Sequence, residues 1–233
     1  MEKIRWGIIG PGNIANNFAD GLKGSYSGQL VSIASKSEDR RKTFGDKYDI
    51  HPDFRFDSYE DIINSEHIDA IYISIPHTLH AEWTIKAAGK GKHILCEKPG
   101  AINFNEGKKV IEAVKEAGVF YMEGFMYRCH PQIPKLVEII KDKMIGDVIS
   151  IETSFGFDMG KTIPDHRLFN KNLAGGGILD VGLYPISFSR LIAGVATGDK
   201  FSEPKFLDTE ARLGETDVDE IAHANLEFKN GIK

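Results

Sequence analysis

The chain has 233 residues, of which 41% are hydrophobic and 27% charged, a balance typical of a globular protein with one or two domains. Its formal net charge of −5 argues against a nucleic-acid-binding protein. The two cysteines, Cys96 and Cys129, do not form a CxxC motif, which argues against a disulfide framework or a structural zinc site.

The N-terminal sequence passes directly into a strand-like run and has no apolar signal-peptide core. No apolar stretch approaches the roughly 20 residues needed to span a bilayer. We therefore expect a cytoplasmic protein that does not bind membranes.

Strand-like and helical patterns alternate in the first half of the chain. Ile14, Phe18 and Leu22 recur every four residues and predict one apolar face of a helix. This alternation predicts a parallel sheet that binds its ligand at the carboxyl ends of the strands. The predicted strands are Ile4–Ile9, Leu30–Ala34, Ala70–Ile75, His93–Cys96 and Val119–Met122.

The pattern changes after about residue 122, and we expect a domain boundary there. Residues 1–122 are predicted to form an α/β domain, and residues 123–233 an α+β domain with an open, mostly antiparallel sheet. Helices are predicted at Pro131–Asp142 and from the glycine run Gly175–Gly177 to about Ala193. Strands are predicted at Val148–Phe157, Lys205–Leu213 and Glu220–Phe228.

The chain ends just after a turn signal. Asn230-Gly231 is typical of a β-hairpin, yet only Ile232 and Lys233 follow it. We therefore expect the chain to stop inside a sheet, as a truncated piece of a longer protein would.

A glycine turn follows the first predicted strand. Gly10, Gly12 and Ala15 form a G-x-G-x-x-A motif that opens a helix, where Gly10 permits a tight turn and Gly12 a close approach to a pyrophosphate. The helix N-terminus, at Asn13 and Ile14, would supply N–H donors to phosphate. The motif predicts a Rossmann-type dinucleotide-binding domain.

The end of the second predicted strand bears on the choice of cofactor. An NAD enzyme usually has an acidic residue about 20 residues after the glycines, to bind the ribose 2′-hydroxyl. Here the chain has Ser35 and Lys36, with Arg40 one turn later, and these residues favour the 2′-phosphate of NADP. The alternatives are that Lys36 and Arg40 are solvated surface charges and that the cofactor is NAD.

The sequence SIPHTLH follows the third predicted strand. Pro76, His77 and His80 are interpreted as a loop that contacts the cofactor, with His80 at the start of a helix. Two histidines three residues apart could also suggest a metal site. No Cys, His or acidic residue stands near them at metal-ligand spacing, so no metal is predicted.

Two opposite charges, Glu97 and Lys98, follow the fourth predicted strand, and Pro99 ends it. A lysine at this edge of the sheet would lie beside the nicotinamide and could bind a reacting hydroxyl. The alternative is a surface salt bridge in a loop. A cis Lys98–Pro99 peptide bond is compatible with the sequence, since cis peptides occur mainly at proline.

Together these motifs resemble the glucose–fructose oxidoreductase, inositol dehydrogenase and rhizopine-catabolism (Gfo/Idh/MocA) family of NAD(P)-dependent oxidoreductases. The resemblance covers essentially the whole chain. It is closest to the sugar and dihydrodiol dehydrogenase branch, where the last motif contains tyrosine and inositol dehydrogenases have histidine. The motifs are GIIGPGNIA at 7–15, SIPHTLH at 74–80, CEKP at 96–99, EGFMYRCHPQ at 123–132 and GGGILDVGLYPI at 175–186.

The resemblance implies a role for five residues. Lys98 would be the catalytic lysine, and Glu97 would contact the nicotinamide ribose. Tyr184 would be the general acid/base, Asp180 would orient the substrate, and Arg128 would line the nicotinamide or substrate pocket. Asp180 and Tyr184 would share a face if 178–193 is an α-helix.

The resulting hypothesis is an NADP- or NAD-dependent dehydrogenase for a carbohydrate-like substrate. The resemblance also implies a homo-oligomer that associates through the C-terminal sheet. A cofactor-binding regulator or sensor without turnover is the alternative, and the presence of Lys98, Asp180 and Tyr184 argues against it.

Overall fold

The computed structural model describes residues 2–233 and separates into two compact units. The first unit ends at Gly124, and the second comprises Phe125–Lys233. The predicted fold class, a dinucleotide-binding sheet followed by an α+β region, is confirmed.

The first unit contains a six-stranded parallel sheet with the strand order β3-β2-β1-β4-β5-β6. This order is typical of dinucleotide-binding domains, whose ligand lies where the order reverses, beyond the carboxyl ends of the first strands. The strands are β1 (Ile4–Ile9), β2 (Gly28–Ala34), β3 (Arg55–Phe56), β4 (Ala70–Ile73), β5 (His93–Cys96) and β6 (Tyr121–Glu123).

Helices cover both faces of this sheet because consecutive strand residues point to opposite sides. Ile8 packs with α1 and α2 on one face, whereas Ile9 packs with α3, α4 and α5 on the other. The helices are α1 (Asn13–Lys23), α2 (Glu38–Lys47), α3 (Tyr59–Asn64), α4 (His80–Ala88) and α5 (Phe104–Ala117).

Local sequence signals set the ends of these helices. Ser37 caps α2 by accepting from the Arg40 N–H, and Ser58 caps α3 by accepting from the Glu60 and Asp61 N–H groups. Gly118 ends α5 in a left-handed conformation, with φ of 65°.

The second unit is organised around two helices, α6 (Gln132–Lys141) and α7 (Leu183–Ala196). Ile140 of α6 packs against Leu191, Ile192 and Val195 of α7. A two-stranded antiparallel sheet follows, formed by β7 (Phe206–Leu213) and β8 (Asp219–Glu227).

The predicted strand Val148–Phe157 is wrong. Within the described residues, the backbone of this segment forms strand-like hydrogen bonds with Lys233 alone, whose carbonyl accepts from the Ile151 N–H at 2.7 Å and whose N–H donates to Ile149 at 3.4 Å. A strand needs a continuous neighbour to form a ladder, and one residue does not provide it.

The predicted Asn-Gly turn is confirmed. Asn230 and Gly231 have φ of 63° and 75°, and the Phe228 N–H donates to the Ile232 carbonyl at 2.8 Å. Phe228 and Ile232 are buried against Ala193 of α7.

The helical stretch Lys171–Ala196 contains an 18-residue window with a mean hydropathy of 1.4, so by length and composition it could cross a membrane. The sequence expectation that no segment reaches this length therefore needs correction. Core helices of soluble proteins meet the same two criteria, and the α7 part of this stretch contributes Leu191, Ile192 and Val195 to the core of the second unit.

Candidate active site

Gly10 forms the sharp turn between β1 and α1. Its φ is 92°, a conformation that L side chains rarely adopt. A Cβ atom on Gly10 would lie 2.7 Å from Ile75 Cγ2 and 2.9 Å from the Ser74 carbonyl oxygen. Glycine is therefore required at position 10 by both backbone conformation and space.

Gly12 differs from Gly10 because the space beside it is open. A Cβ atom on Gly12 would meet no atom within 4 Å, and Gly12 gives α1 no side-chain cap. The first turn of α1, at Asn13 and Ile14, therefore presents N–H groups and the positive end of the helix dipole. This open turn fits the pyrophosphate of a dinucleotide.

The end of β2 carries the residues predicted to select the cofactor. The Ser35 hydroxyl is buried and accepts from the Ser37 N–H at 3.2 Å. Lys36 is exposed, with its ammonium 5.7 Å from the centre of the Tyr59 ring, and Arg40 is exposed in the first turn of α2. Sequence reasoning missed Arg41, which donates to the Ser35 carbonyl at 2.6 Å.

The loop after β4 contains Pro76 and the two histidines. His77 begins a short 3-10 helix, and its ring centre lies 5.7 Å from that of His80. His80 is 1% exposed, and its two ring nitrogens lie 2.7 Å from the Pro99 and Ile75 carbonyl oxygens. Both nitrogens therefore face protein backbone, which points to a supporting role for His80 rather than direct contact with a cofactor.

The same two contacts bear on the metal question. A histidine binds a metal through a ring nitrogen, and those of His80 face carbonyl oxygens. Among residues 2–233, no three His, Cys, Asp or Glu side chains are grouped to hold an ion.

The loop after β5 contains Glu97 and Lys98. The Tyr72 hydroxyl donates to Glu97 Oε1 at 2.5 Å, so the carboxylate is oriented by a residue of the neighbouring strand β4. Lys98 is partly buried, and the Lys98–Pro99 bond is cis, as the sequence allowed. Because β1, β4 and β5 are adjacent, the glycine turn, Pro76 and Lys98 all follow strands at one edge of the sheet.

Glu123, at the end of β6, is a further residue of this edge that sequence reasoning missed. Its Oε1 accepts from the Gly100 N–H at 2.7 Å. Burial raises the pKa of Glu123, and the Gly100 N–H partly offsets this. An acidic residue directly after the predicted strand Val119–Met122 was the signal that could have identified it.

In the second unit, Asp180 lies in a π-helical turn, Ile178–Gly182, that precedes α7. The predicted regular α-helix is therefore wrong in its first turn, where the Leu183 N–H donates to the Ile178 carbonyl five residues earlier. Such turns often occur at functional sites. The buried Asp180 carboxylate pairs with Arg167 at 3.0 Å.

Tyr184 lies in the first turn of α7 among other aromatic side chains. Its ring centre is 5.4 Å from that of Phe155, 5.8 Å from Phe125 and 6.1 Å from Tyr127. Tyr184, Phe155 and Tyr127 line an open concavity of about 590 Å³ in the second unit. The concavity is mainly apolar, and Tyr184 and Thr153 are among the polar residues that line it.

Arg128 is bound to α7 in the same unit. Its guanidinium donates to the Ser187 carbonyl at 3.2 Å and hydroxyl at 3.1 Å, and lies 4.6 Å from the centre of the Phe201 ring. These contacts hold Arg128 against α7 within the second unit.

Family models match nearly the whole chain. Residues 4–125 match the oxidoreductase family with an NAD-binding Rossmann fold, and residues 133–233 match the GFO/IDH/MocA C-terminal domain. The first of these matches includes the glycine turn and Lys98, and the second includes Tyr184.

Curated relatives include mouse trans-1,2-dihydrobenzene-1,2-diol dehydrogenase, which is 32% identical over 231 residues, or 98% of this chain. D-xylose 1-dehydrogenase (NADP(+)) 2 of Haloferax volcanii is 34% identical over 191 residues, or 82% of this chain. The chain covers 66% and 58% of the lengths of these relatives, respectively.

Solved structures agree with these matches. An aldose-aldose oxidoreductase from Caulobacter crescentus, complexed with glycerol, has a TM-score of 0.87 and 28% identity, over 99% of this chain and 69% of that one. A 3-ketoreductase from Actinomadura kijaniata, in complex with NADP and TDP-benzene, has a TM-score of 0.79 and 27% identity, over 99% and 68%. The chain therefore belongs to the Gfo/Idh/MocA family of oxidoreductases and contains its NAD(P)-binding Rossmann domain.

Proposed function

We propose that the protein is an NADP-dependent dehydrogenase or reductase for a sugar, polyol or dihydrodiol-like substrate. The observation that carries the proposal is the shared edge of the sheet, where the open glycine turn after β1 and Lys98 after β5 both lie. When bound, the nicotinamide supplies or accepts a hydride at its C4 atom. The names of the relatives support both the substrate class and the choice of NADP.

The cofactor would be held at the ends of several strands. The turn Gly10–Gly12 and the N–H groups of Asn13 and Ile14 would bind the pyrophosphate. Ser35, Lys36 and Arg40 would bind the 2′-phosphate, and Arg41 reinforces this loop by donating to the Ser35 carbonyl. Pro76, His77, Glu97 and Arg128 would contact the nicotinamide half.

The substrate proton would be transferred by Tyr184. During oxidation its Oη would take the proton from the substrate hydroxyl, and during reduction it would return it. The pKa of an unperturbed tyrosine is near 10, so this role needs a nearby positive charge. The Lys98 ammonium would provide that charge and stabilise the developing alkoxide, while Asp180 would orient the substrate.

The role of Tyr184 can be tested with Tyr184→Phe. We expect kcat to fall roughly 10²- to 10⁴-fold, because the general acid/base is lost, while the Kd of NADPH is unchanged. NADPH consumption with a panel of aldoses and diketones gives kcat, and NADPH fluorescence gives Kd. Retained turnover would exclude the acid/base assignment. Absence of turnover in the unmodified protein despite tight NADPH binding would favour a cofactor sensor.

The preference for NADP can be tested with Lys36→Ala. We expect the Kd of NADP to rise about tenfold and that of NAD to change little, because a charge-assisted bond to the 2′-phosphate is lost. Lys42→Ala is the matched control, since Lys42 is also exposed but pairs with Asp46 on α2. An equal loss of affinity for both cofactors would remove the 2′-phosphate assignment.

A further inference from the structure

Two side chains hold the backbone on the C-terminal side of Lys98. His80 Nδ1 lies 2.7 Å from the Pro99 carbonyl oxygen, and Glu123 Oε1 accepts from the Gly100 N–H at 2.7 Å. His80 Nε2 lies 2.7 Å from the Ile75 carbonyl oxygen. These contacts connect the loop after β5 to the loop after β4 and to the end of β6.

His80 is placed to act on backbone rather than on a ligand. The ring is 1% exposed at the start of α4, and each nitrogen has a carbonyl oxygen as its neighbour. A carbonyl can only accept, so a neutral ring donates to one of the two oxygens and a protonated ring to both.

Glu123 provides an acceptor where the chain has little space. A Cβ atom on Gly100 would overlap the Tyr121 hydroxyl, so residue 100 has to be glycine. The backbone N–H of Gly100 donates to the carboxyl group of Glu123. A protonated and an ionised carboxyl group each keep an acceptor oxygen, so the contact with the Gly100 N–H is available in both charge states of Glu123.

We infer that His80 and Glu123 are positioning residues that fix the Lys98–Gly100 backbone and thereby the Lys98 ammonium. The inference rests on the proposed role of Lys98. A lysine side chain has several rotatable bonds, so the direction of its ammonium depends on how firmly its own backbone is held. Displacements of about 1 Å in an active site can lower turnover about 100-fold.

Isosteric variants separate the contacts from general packing. Glu123→Gln keeps an acceptor oxygen for the Gly100 N–H, whereas Glu123→Leu removes it. At residue 80, His80→Asn places an amide donor near the position of Nδ1, which faces Pro99, and His80→Gln places one near the position of Nε2, which faces Ile75.

Lys92→Met is the matched control. Lys92 is 9% exposed and donates to the Ser65 and Ile68 carbonyl oxygens at 2.6 and 2.7 Å. It therefore also holds backbone with a buried polar side chain, but it precedes β5, at the amino end of the strand. We expect this variant to lose stability and to keep kcat.

The experiment measures kcat, the Kd of NADPH and hydrogen exchange of the Gly100 amide. We expect Glu123→Leu to lower kcat roughly 10- to 100-fold and to accelerate Gly100 exchange, with Kd changed less than about threefold. In Glu123→Gln, both kcat and the exchange rate of the Gly100 amide should stay within about threefold of the values for the unmodified protein. His80→Asn should keep more activity than His80→Gln, because it retains the contact with Pro99.

Three results would overturn the inference: unchanged kcat in Glu123→Leu, equal losses in Glu123→Gln and Glu123→Leu, or an equal loss in Lys92→Met. The variant Lys98→Met tests the proposed role of Lys98 separately from the positioning by His80 and Glu123. Turnover retained in Lys98→Met would refute the role of Lys98 itself. An inactive Lys98→Met beside a fully active Glu123→Leu would refute only the positioning.

Discussion

The two units differ in how their extended segments are paired. In the first, six strands form one sheet whose two faces are covered by apolar clusters from β1, β4 and five helices. In the second, two strands form a separate ribbon, and Val148–Phe157 forms no ladder among the described residues. The difference teaches that an alternating apolar pattern predicts a strand only where a neighbouring strand is available to pair with it.

The largest expected effect concerns the two cysteines, one in each unit. Cys96 is buried in β5, and burial raises its thiol pKa to about 12, whereas Cys129 is exposed. At pH 8 only about one Cys96 thiol in 10⁴ would be a thiolate, the form that reacts with alkylating agents. We expect iodoacetamide to modify Cys129 alone in the folded protein and both cysteines in urea, as measured by mass spectrometry.

Rapid modification of both thiols without urea would contradict this expectation. It would mean that β5 opens readily and that the first unit is no better protected than the second. Cys129→Ser is the control, since its folded form should take up no label on the same time scale.

The second effect is the contribution of core packing. Ile94 of β5 is 1% exposed, and Ile94→Ala should lower the free energy of unfolding by about 3 kcal/mol, because a buried side chain is lost and a cavity remains. Ile221 of β8 is 41% exposed, and Ile221→Ala should cost below about 1 kcal/mol. Urea unfolding followed by far-UV circular dichroism measures both.

Tryptophan fluorescence adds a measurement of the first unit alone, because both tryptophans, Trp6 and Trp83, lie there. Ile94→Ala should shift the fluorescence transition, and Ile221→Ala should leave it in place. A shift of the fluorescence transition in Ile221→Ala equal to its shift by circular dichroism would show that the units unfold together and would remove the contrast between them.

The sequence was most informative where local signals and tertiary pairing agree. β1 and β5 have the predicted bounds, and Ser37 and Gly118, residue types typical of helix ends, cap α2 and α5. Such elements are determined by an apolar run and by the residues that end it. Val148–Phe157 has an equally regular pattern, but the pattern does not specify a partner, and this prediction was wrong.

The candidate site shows the same limit at the level of single residues. Gly10 and Lys98 could be predicted because a motif marks each of them. The contacts of Tyr72 and Glu123 could not be predicted, since Tyr72 orients Glu97 from a neighbouring strand and Glu123 binds Gly100 from 23 residues away. Contacts between adjacent parallel strands depend on strand order and register, which short-range patterns do not encode.

The third effect separates the two glycines of the β1–α1 turn. Gly10→Ala should lower the free energy of unfolding by about 2 kcal/mol, because φ is 92° and the Ser74 carbonyl is backbone that cannot move aside easily. Gly12 has φ of −83° and open space around it, so Gly12→Ala should change stability by below about 1 kcal/mol.

Gly12→Ala, the variant that should change stability less, should weaken cofactor binding. A methyl group at residue 12 would occupy the space through which the pyrophosphate approaches, so we expect the Kd of NADPH to rise at least about tenfold in Gly12→Ala. Fluorescence titration of NADPH measures this at a temperature where both variants are folded. Unchanged affinity in Gly12→Ala would exclude the glycine turn as the pyrophosphate site.

The smallest expected effect is the pH dependence caused by Glu123. Burial raises its pKa in the folded protein above the value in the unfolded chain, so the folded state retains the proton to higher pH. The stability that this provides is fully present below the unfolded pKa and is lost as the pH rises through the folded pKa.

Glutamine does not titrate, so the stability of Glu123→Gln relative to the unmodified protein should increase from pH 4 to pH 8. Urea unfolding of both proteins at the two pH values measures the difference, and comparing the two cancels the other titrating groups. A difference that is independent of pH would mean that the carboxyl group of Glu123 has the same pKa in the folded and unfolded states, so that burial does not raise it.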